Sequence, residues 1–291
     1  MVTVGQGPHV LVGYDGSAQA EQALRWGVEE ARLRRCSLTI CHAWHWPYPD
    51  APQDAAAFER VRSLADGVLD RGARIVHGQA PGLAVYRRFI TGPAASGLLR
   101  EARQAELIVL GSHGVGGFAG LWAGSVALQV SAYAHCPVVV FRQPVAALPR
   151  VVVGVDGSSP GAAALAFAFE EAALRGWELQ AVCGCWELPA VPGSEMALYR
   201  DLDRLRQSGS VRLKRAVLPW REKYPHVPAW TSLRMAEPRH ALLETMDRAG
   251  LLVIGDRGEG GLPGLRLGTV SAAMLYHATC PVAVVHAEHQ D

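Results

Sequence analysis

HVLVGYDGSAQAEQAL at residues 9–24 recurs as RVVVGVDGSSPGAAAL at residues 150–165, 141 positions further along the chain. In each copy a short apolar run ends at Asp-Gly-Ser, and a segment rich in alanine follows. The apolar run predicts a buried strand, and the serine predicts the N-cap of a helix. The sequence therefore predicts the same strand-turn-helix unit twice.

A second pair of similar segments lies near the end of each half. Residues 107–126 read LIVLGSHGVGGFAGLWAGSV, and residues 251–270, 144 positions later, read LLVIGDRGEGGLPGLRLGTV. The tripeptide Cys-Pro-Val at residues 136–138 recurs at residues 280–282. Two blocks in the same order, at nearly the same offset, indicate a duplicated domain, because the period is far too long for a solenoid repeat.

Length and composition are consistent with two globular domains. The chain has 291 residues, of which 49% are hydrophobic and 19% charged, so it can bury a sizeable core. We place the boundary within residues 143–148, because Pro144 in this segment and Pro149 directly after it separate a predicted strand from the first strand of the second copy. The predicted domains are residues 1–146 and residues 147–291.

The charge balance excludes several classes of protein. The chain has 28 Lys and Arg against 27 Asp and Glu, which argues against a strongly basic nucleic-acid-binding protein or a polybasic membrane-surface protein. Its apolar runs are far shorter than the roughly 20 residues of a spanning helix, and the N-terminus has no signal-peptide pattern. The 6 cysteines include no CxxC pair and are too few for a disulfide scaffold. We therefore expect a cytoplasmic protein with neither nucleic acid nor a membrane as its partner.

Strands and helices alternate in both halves. This alternation implies right-handed βαβ crossovers and a parallel sheet with helices on both faces. Such sheets bind ligands beyond the carboxyl ends of their strands, where both repeated motifs lie. The predicted strands are residues 10–14, 38–44, 83–90, 107–110 and 137–141 in the first half, and residues 151–155, 179–184, 229–235, 251–254 and 282–286 in the second.

Glycines dominate the segment that follows the fourth strand of each half. Glycine allows close approach of the backbone to a ligand, and the following helix offers free N–H groups that favour phosphate. The alternative is a flexible loop with a Ser or Thr helix cap, but two copies in the same context favour a phosphate site. Neither the P-loop nor the dinucleotide fingerprint is present. The repeated positions are Gly111, Gly114, Gly116, Gly117, Gly124 and Ser125, and Gly255, Gly258, Gly260, Gly261, Gly268 and Thr269.

An aspartate ends the first strand of each half, Asp15 in one copy and Asp156 in the other. Each carboxylate either contacts a sugar or base, or caps its own turn before the helix, and both roles are compatible. His113 follows the fourth strand, but Arg257 stands at the equivalent position, so the halves share no histidine catalyst. We predict no catalytic residue and no metal site.

These motifs resemble those of the universal stress protein family, and the chain is similar to its tandem-domain, ATP-binding members. The family's G-x-x-G-x9-G-[ST] motif stands at residues 111–125 and 255–269, and its opening strand ending in D-G-S stands at residues 12–17 and 153–158. The resemblance covers nearly the whole chain. It implies an α/β fold of two tandem Rossmann-like domains, each an open five-stranded parallel sheet of order 3-2-1-4-5 flanked by helices.

The resemblance also implies one ATP site in each half. The aspartates would contact the ribose or the adenine edge, Ala43 and Gly184 would touch the adenine, and the glycines with Ser125 or Thr269 would hold the phosphates. The first implied site comprises Asp15, Ala43, Gly111, Gly114, Gly116, Gly117, Gly124, Ser125 and Val126. The second comprises Asp156, Gly184, Gly255, Arg257, Gly258, Gly260, Gly261, Gly268, Thr269 and Val270.

The two loops differ in charge. Asp256 and Glu259 would lie beside the phosphates of the second site, where Arg257 and Arg266 would offset them. The first loop, residues 111–125, contains no Lys, Arg, Asp or Glu, and so offers no charged group to a transferring phosphoryl group.

We expect a cytoplasmic stress-response or regulatory module that binds ATP, with or without Mg²⁺, and is not an enzyme. Two alternatives stay open: a slow ATP hydrolase or phosphotransferase, and a scaffold that binds partner proteins without a nucleotide. The sequence identifies no protein partner. The final strands, residues 137–141 and 281–286, would be exposed edges in an isolated half. We therefore predict that they pair in an intramolecular pseudo-dimer, and a homodimer of the whole chain is a further alternative.

Overall fold

The computed structural model describes residues 7–45, 55–114, 123–143, 146–185, 202–258 and 265–287. Contacts divide the chain into two compact units. The first comprises Met1–Gln143 with Pro281–His286, and the second comprises Pro144–Cys280 with Ala287–Asp291. None of the helices in the described ranges has the length and apolar character that a bilayer span requires. The domain limits at residues 146 and 147 stay a prediction.

The first unit alternates strands and helices, as the sequence predicts. Its elements are β1 (His9–Gly13), α1 (Ala18–Arg34), β2 (Ser37–Trp44), α2 (Ala55–Gln79), β3 (Val85–Thr91), α3 (Ala94–Glu101), β4 (Ala105–Gly111), α4 (Ser125–Tyr133) and β5 (Val138–Phe141). A 3₁₀ turn, Ala102–Gln104, lies between α3 and β4. The strands pair in parallel in the order β3-β2-β1-β4-β5. This is the predicted order 3-2-1-4-5.

In the described residues, the second unit repeats this alternation of strands and helices with four strands. Its elements are β6 (Leu148–Gly154), α5 (Ser159–Arg175), β7 (Glu178–Gly184), α6 (Leu202–Lys223), β8 (Ala229–Arg234), α7 (Pro238–Thr245), β9 (Ala249–Gly255) and α8 (Thr269–His277). The strands pair in parallel in the order β8-β7-β6-β9. The predicted fold class, α/β with two domains built on parallel sheets and flanked by helices, is confirmed.

The last strand, β10 (Val282–Val285), groups with the first unit rather than with the rest of its own half. It pairs antiparallel with β5, so that Val282 lies opposite Val140 and Val284 opposite Val138. All four residues of each strand are buried. The pairing satisfies backbone groups that would otherwise form an exposed edge. Pairing of the two final strands, which the sequence predicts, is thus present within this unit.

Helices cover both faces of the first sheet. On one face Gly27 of α1 leaves room for the Val12 side chain, and on the other Gly97 of α3 leaves room for Ile90. Val10, Leu11 and Val12 are all fully buried, although their side chains alternate between the faces. This burial on both faces explains why the strand is a continuous apolar run.

A tight turn joins the first strand of each half to the helix that follows. Gly16 (φ +82°) and Gly157 (φ +93°) adopt the left-handed conformation, which glycine accommodates without steric cost. The Ser17 hydroxyl accepts a hydrogen bond from the Ala20 N–H at 3.2 Å, and the Ser158 hydroxyl accepts one from Gly161 at 3.0 Å. Both serines are therefore helix N-caps, as predicted.

Candidate functional site

A cavity of about 490 Å³ lies in the second unit at the carboxyl ends of β6, β7 and β9. This is the edge at which parallel sheets bind ligands. Gly260 and Gly261 lie outside the described residues. The other residues predicted for the second site all line the cavity: Asp156, Gly184, Gly255, Arg257, Gly258, Gly268, Thr269 and Val270. The fold thus brings together four segments that are far apart in sequence.

Asp156 is held by the turn that follows β6. Its Oδ1 accepts the backbone N–H of Ser158 at 3.0 Å and the Ser158 hydroxyl at 2.6 Å. The interpretation that this aspartate caps its own turn is therefore correct. Asp156 also lines the cavity, and its Oδ2 lies beside Gly258. The capping role is thus compatible with a second role in contacting a ribose or a base.

Two glycines let the loop after β9 pack closely against its neighbours. A Cβ on Gly255 would lie 2.9 Å from the Pro160 carbonyl carbon, and a Cβ on Gly258 would lie 2.7 Å from the Asp156 Oδ2. At Gly255 the neighbour is backbone, which leaves no room for a side chain, whereas at Gly258 the Asp156 carboxylate would have to move. These glycines therefore have a packing role in the protein itself, whatever the loop binds.

The first turn of α8 lies at the cavity. Gly268 is the N-cap of this helix and makes no side-chain capping bond, and its N–H donates to the Asp256 carbonyl at 2.8 Å. The first N–H groups of a helix have no acceptor within the helix. Together with the helix dipole, they make this end of the cavity favourable for an anionic group. Thr269 and Val270 lie in this turn, as the phosphate-site prediction requires.

Asp256 and Arg257 form an ion pair at the edge of the cavity. Asp256 is only 3% exposed, and the Arg257 Nε lies 3.4 Å from its Oδ2. The arginine offsets the acidic residue, as the sequence analysis expects. Because the carboxylate is paired with the arginine, the two residues together add almost no net charge at the cavity. Glu259 lies outside the described residues.

Apolar side chains form a large part of the cavity wall, and the sequence analysis missed them. They come from strand ends, from the segment before α8, and from α7, which follows β8 and carries none of the repeated motifs. An apolar wall facing a polar turn is typical of pockets that bind a flat organic group. A prediction of strand ends alone could have found the strand residues, but no sequence signal pointed to those of α7. The apolar lining residues are Val155, Val182, Pro238, Leu242, Ile254 and Leu265.

The first unit arranges its aspartate and glycines in the same way. The Asp15 Oδ1 accepts the Ser17 backbone N–H at 3.0 Å, and its Oδ2 is the atom closest to where a Cβ of Gly114 would lie. A Cβ on Gly111 would lie 3.1 Å from the backbone of the first turn of α1. Ala43 lies near the carboxyl end of β2, opposite Ile90 of β3. The strand ends and the turn thus meet as they do in the second unit.

The N-terminus of α4 matches that of α8. Gly124 is its N-cap, makes no side-chain capping bond, and donates its N–H to the Ser112 carbonyl at 2.8 Å. Ser125 and Val126 are the first two residues of the helix. Gly116 and Gly117 lie outside the described residues. The described part of the first predicted site therefore has the same backbone frame as the second.

His113 and Arg257 give the two sites different charges. Burial, together with the positive charge of Arg142, lowers the pKa of His113 below its ordinary value of 6.5. His113 is therefore mostly neutral at pH 7, whereas Arg257 is positively charged. The His113 Nδ1 lies 3.1 Å from the Ser112 hydroxyl oxygen.

Cysteine and metal chemistry find little support in the described residues. No group of three or more His, Cys, Asp or Glu side chains there is placed to hold a metal ion. All six cysteines are free thiols. Burial raises the pKa of Cys136 and of Cys183 to about 12, so both stay protonated and unreactive at neutral pH.

Known proteins are similar to this chain along its whole length. The model of the universal stress protein family matches residues 8–142 and again residues 148–286. Universal stress protein Rv2005c of Mycobacterium tuberculosis is 33% identical, over 94% of this chain and 96% of its own. A universal stress protein of Mycolicibacterium smegmatis is 30% identical, over 95% and 96%. The crystal structure of a universal stress protein from Archaeoglobus fulgidus has the same fold, with a TM-score of 0.70, 18% identity and 97% coverage of both chains.

Proposed function

This chain belongs to the universal stress protein family, and on that premise we propose that each of its domains binds ATP at the carboxyl ends of the strands. The observation that carries the proposal is the cavity of the second unit. Its volume of about 490 Å³ falls within the range of about 300–1,000 Å³ typical of small-molecule sites. It also joins an anion-favouring helix end to an apolar wall, as a nucleotide requires.

The chemistry of the lining matches the parts of ATP. The triphosphate would lie at the first turn of α8, where the backbone N–H groups and Arg257 favour negative charge. The adenine would lie against Val182, Pro238 and Leu242. Asp156 lines the same cavity, and its carboxylate is suited to accept hydrogen bonds from ribose hydroxyls.

Calorimetric titration of the full-length protein with ATP, ADP, AMP and GTP tests the proposal. We expect saturable binding of ATP that is stronger than binding of GTP. A second measurement is the nucleotide released when freshly purified protein is heat-denatured. A protein that neither carries a nucleotide after purification nor binds ATP in the titration would contradict the proposal and favour the scaffold alternative.

The contact between Gly258 and Asp156 yields a prediction for the second site. In Gly258→Ala the new Cβ, 2.7 Å from the present position of Oδ2, would displace the carboxylate. A hydrogen bond to a charged group contributes about 1.5–3 kcal/mol, so we expect ATP affinity at this site to fall about tenfold or more. Calorimetry measures the change. The control is Gly78→Ala, because nothing lies within 4 Å of that Cβ. Equal affinities in the two variants would show that the Asp156 carboxylate does not bind ATP.

We further propose that ATP is held rather than turned over. Asp156 and Arg257 are the ionisable side chains among the described lining residues. The first is assigned to the ribose, and the second has no equivalent in the first half, where His113 stands at that position. Backbone N–H groups and a helix dipole stabilise the ground state and the transition state almost equally, which does not accelerate the reaction.

An assay of phosphate release from ATP tests this expectation. With Mg²⁺ and ATP we expect turnover far below the enzyme median of about 10 per second. Turnover near that median which is lost in Asp15→Ala with Asp156→Ala would favour the hydrolase alternative instead.

A bound nucleotide that is not consumed is suited to regulation. We propose a cytoplasmic stress-response module in which occupancy by ATP changes a surface that partner proteins recognise. Comparing pull-downs from cell extract with and without ATP, for the wild type and for a variant that does not bind ATP, tests this role. Proteins that the wild type captures only in the presence of ATP, and that the variant does not capture, would support this role.

A further inference from the structure

We propose that the first domain carries a second ligand site, a pocket for a compact divalent oxyanion such as inorganic phosphate or a short dicarboxylate. A cavity of about 240 Å³ lies on the face of the sheet that α3 covers. His9 opens β1, and Arg103 lies in the 3₁₀ turn before β4, so the cavity is towards the amino-terminal ends of these strands. The candidate ATP site lies at the opposite, carboxyl-terminal ends.

Three arginines line this cavity: Arg88 from β3, Arg100 from α3, and Arg103 from the 3₁₀ turn. Glu101 is the one acidic side chain in the lining. These three guanidinium groups and one carboxylate carry a net charge of +2. A dianion would balance this charge.

Arg88 carries the strongest indication of a missing ligand. Its Nη2 is buried and has no hydrogen-bond partner among the described residues. The Glu101 Oε2 lies 3.7 Å from the Arg88 Nε, and the Oε1 lies 3.9 Å from the Arg100 Nε. Both distances are too long for hydrogen bonds. A buried donor on a charged group is costly unless an acceptor is present, and an oxyanion in the cavity would supply one.

The cavity floor offers polar groups that suit an oxyanion. Thr39 and Tyr86 are neighbours across β2 and β3, and each contributes a hydroxyl that is able to donate a hydrogen bond. His9 is 6% exposed and lines the same cavity. Arg100 and Arg103 line the cavity and are exposed, so they would attract an anion from solution.

The second half has no equivalent of this charge cluster. At the offset of 144 residues, Arg88 corresponds to Ser232, Arg100 to Glu244 and Arg103 to Asp247. Two of the three arginines are thus replaced by acidic residues. The oxyanion pocket is therefore not part of the duplicated candidate ATP sites. The proposal of anion binding does not depend on the proposal of ATP binding.

Calorimetric titration of the full-length protein with inorganic phosphate, at low ionic strength, tests the proposal, and succinate in a parallel titration distinguishes phosphate from dicarboxylate. We expect Arg88→Gln to weaken binding of the preferred anion at least about tenfold, the effect of losing one charged hydrogen bond. Arg103→Gln, at an exposed position, should weaken it without affecting the fold. ATP titrations of both variants should match the wild type.

Arg87→Gln is the matched control. Arg87 is adjacent on the same strand, points to the other face, and pairs with the exposed Asp70. The Arg87→Gln substitution should leave anion binding unchanged. The proposal is overturned if neither anion binds, if Arg87→Gln weakens binding as much as Arg88→Gln, or if folded Arg103→Gln binds like the wild type. It is also overturned if a folded variant loses ATP and anion binding together, because the pocket would then not be a separate site.

Discussion

Replacing both Gly124 and Gly268 by valine should abolish ATP binding while leaving both domains folded. Each glycine is the N-cap of the helix whose first turn is proposed to hold the phosphates, and each has an extended backbone that valine also adopts. A Cβ on Gly268 would lie 3.2 Å from the Arg257 Cα, and one on Gly124 would lie 3.4 Å from the Ser112 carbonyl oxygen. A branched side chain would therefore fill the gap between the loop and the helix end. At each site, loss of two charged hydrogen bonds to the phosphates, each about 1.5–3 kcal/mol, would lower the affinity of that site by at least about a hundredfold.

Titration calorimetry of the single and double variants resolves the two sites. Each single variant should lose one site and keep the other. The control is Gly82→Val, which adds the same side chain to a glycine with nothing within 4 Å of its Cβ. Circular dichroism confirms that the variants are folded. Wild-type ATP affinity in the folded double variant would place the nucleotide elsewhere on the protein.

Replacing Arg34 by methionine should lower the free energy of unfolding of the first domain substantially. Glu30 of α1 is fully buried, and its Oε1 lies 2.5 Å from the Arg34 Nε, which is also nearly buried. Methionine keeps the apolar stem of the arginine but removes its charge. Removing one member of a buried ion pair typically costs about 3–5 kcal/mol, because a buried charge then loses its counter-charge. Urea unfolding followed by circular dichroism measures the change.

The same helix contains a matched control. Arg32 pairs with Glu29 at 3.1 Å, but both side chains are about half exposed, 57% and 43%. Such surface pairs contribute about 1 kcal/mol or less, so Arg32→Met should unfold almost like the wild type. The second domain repeats the buried pair as Glu171 and Arg175, 3.0 Å apart, and Arg175→Met should destabilise that domain similarly. If Arg34→Met and Arg32→Met unfold at the same urea concentration, the buried pair does not stabilise the fold.

The repeated motifs predicted much of the fold because the relevant interactions are local. An apolar run followed by Asp-Gly-Ser predicts three local features. The strand is buried, Gly16 accommodates the left-handed turn, and Ser17 caps the helix. The repeat of Glu30 and Arg34 at residues 171 and 175 was visible in the sequence as well. Its role as a buried ion pair was not, because helical spacing alone does not show which face of a helix is buried.

The sequence by itself determined the duplication, the alternation of strands and helices, and the edge of the sheet at which the aspartates and glycines meet. Each of these follows from patterns within a few residues and from the direction of parallel strands. Only the tertiary structure decided that Pro238 and Leu242 line the same cavity as Asp156, that Asp256 is buried against Arg257, and that Arg88 lies beside Arg103. Those contacts depend on strand register and on how α3 and α7 pack against the sheets. A one-residue change in register would move every side chain of a strand to the opposite face, so local sequence patterns alone do not specify them.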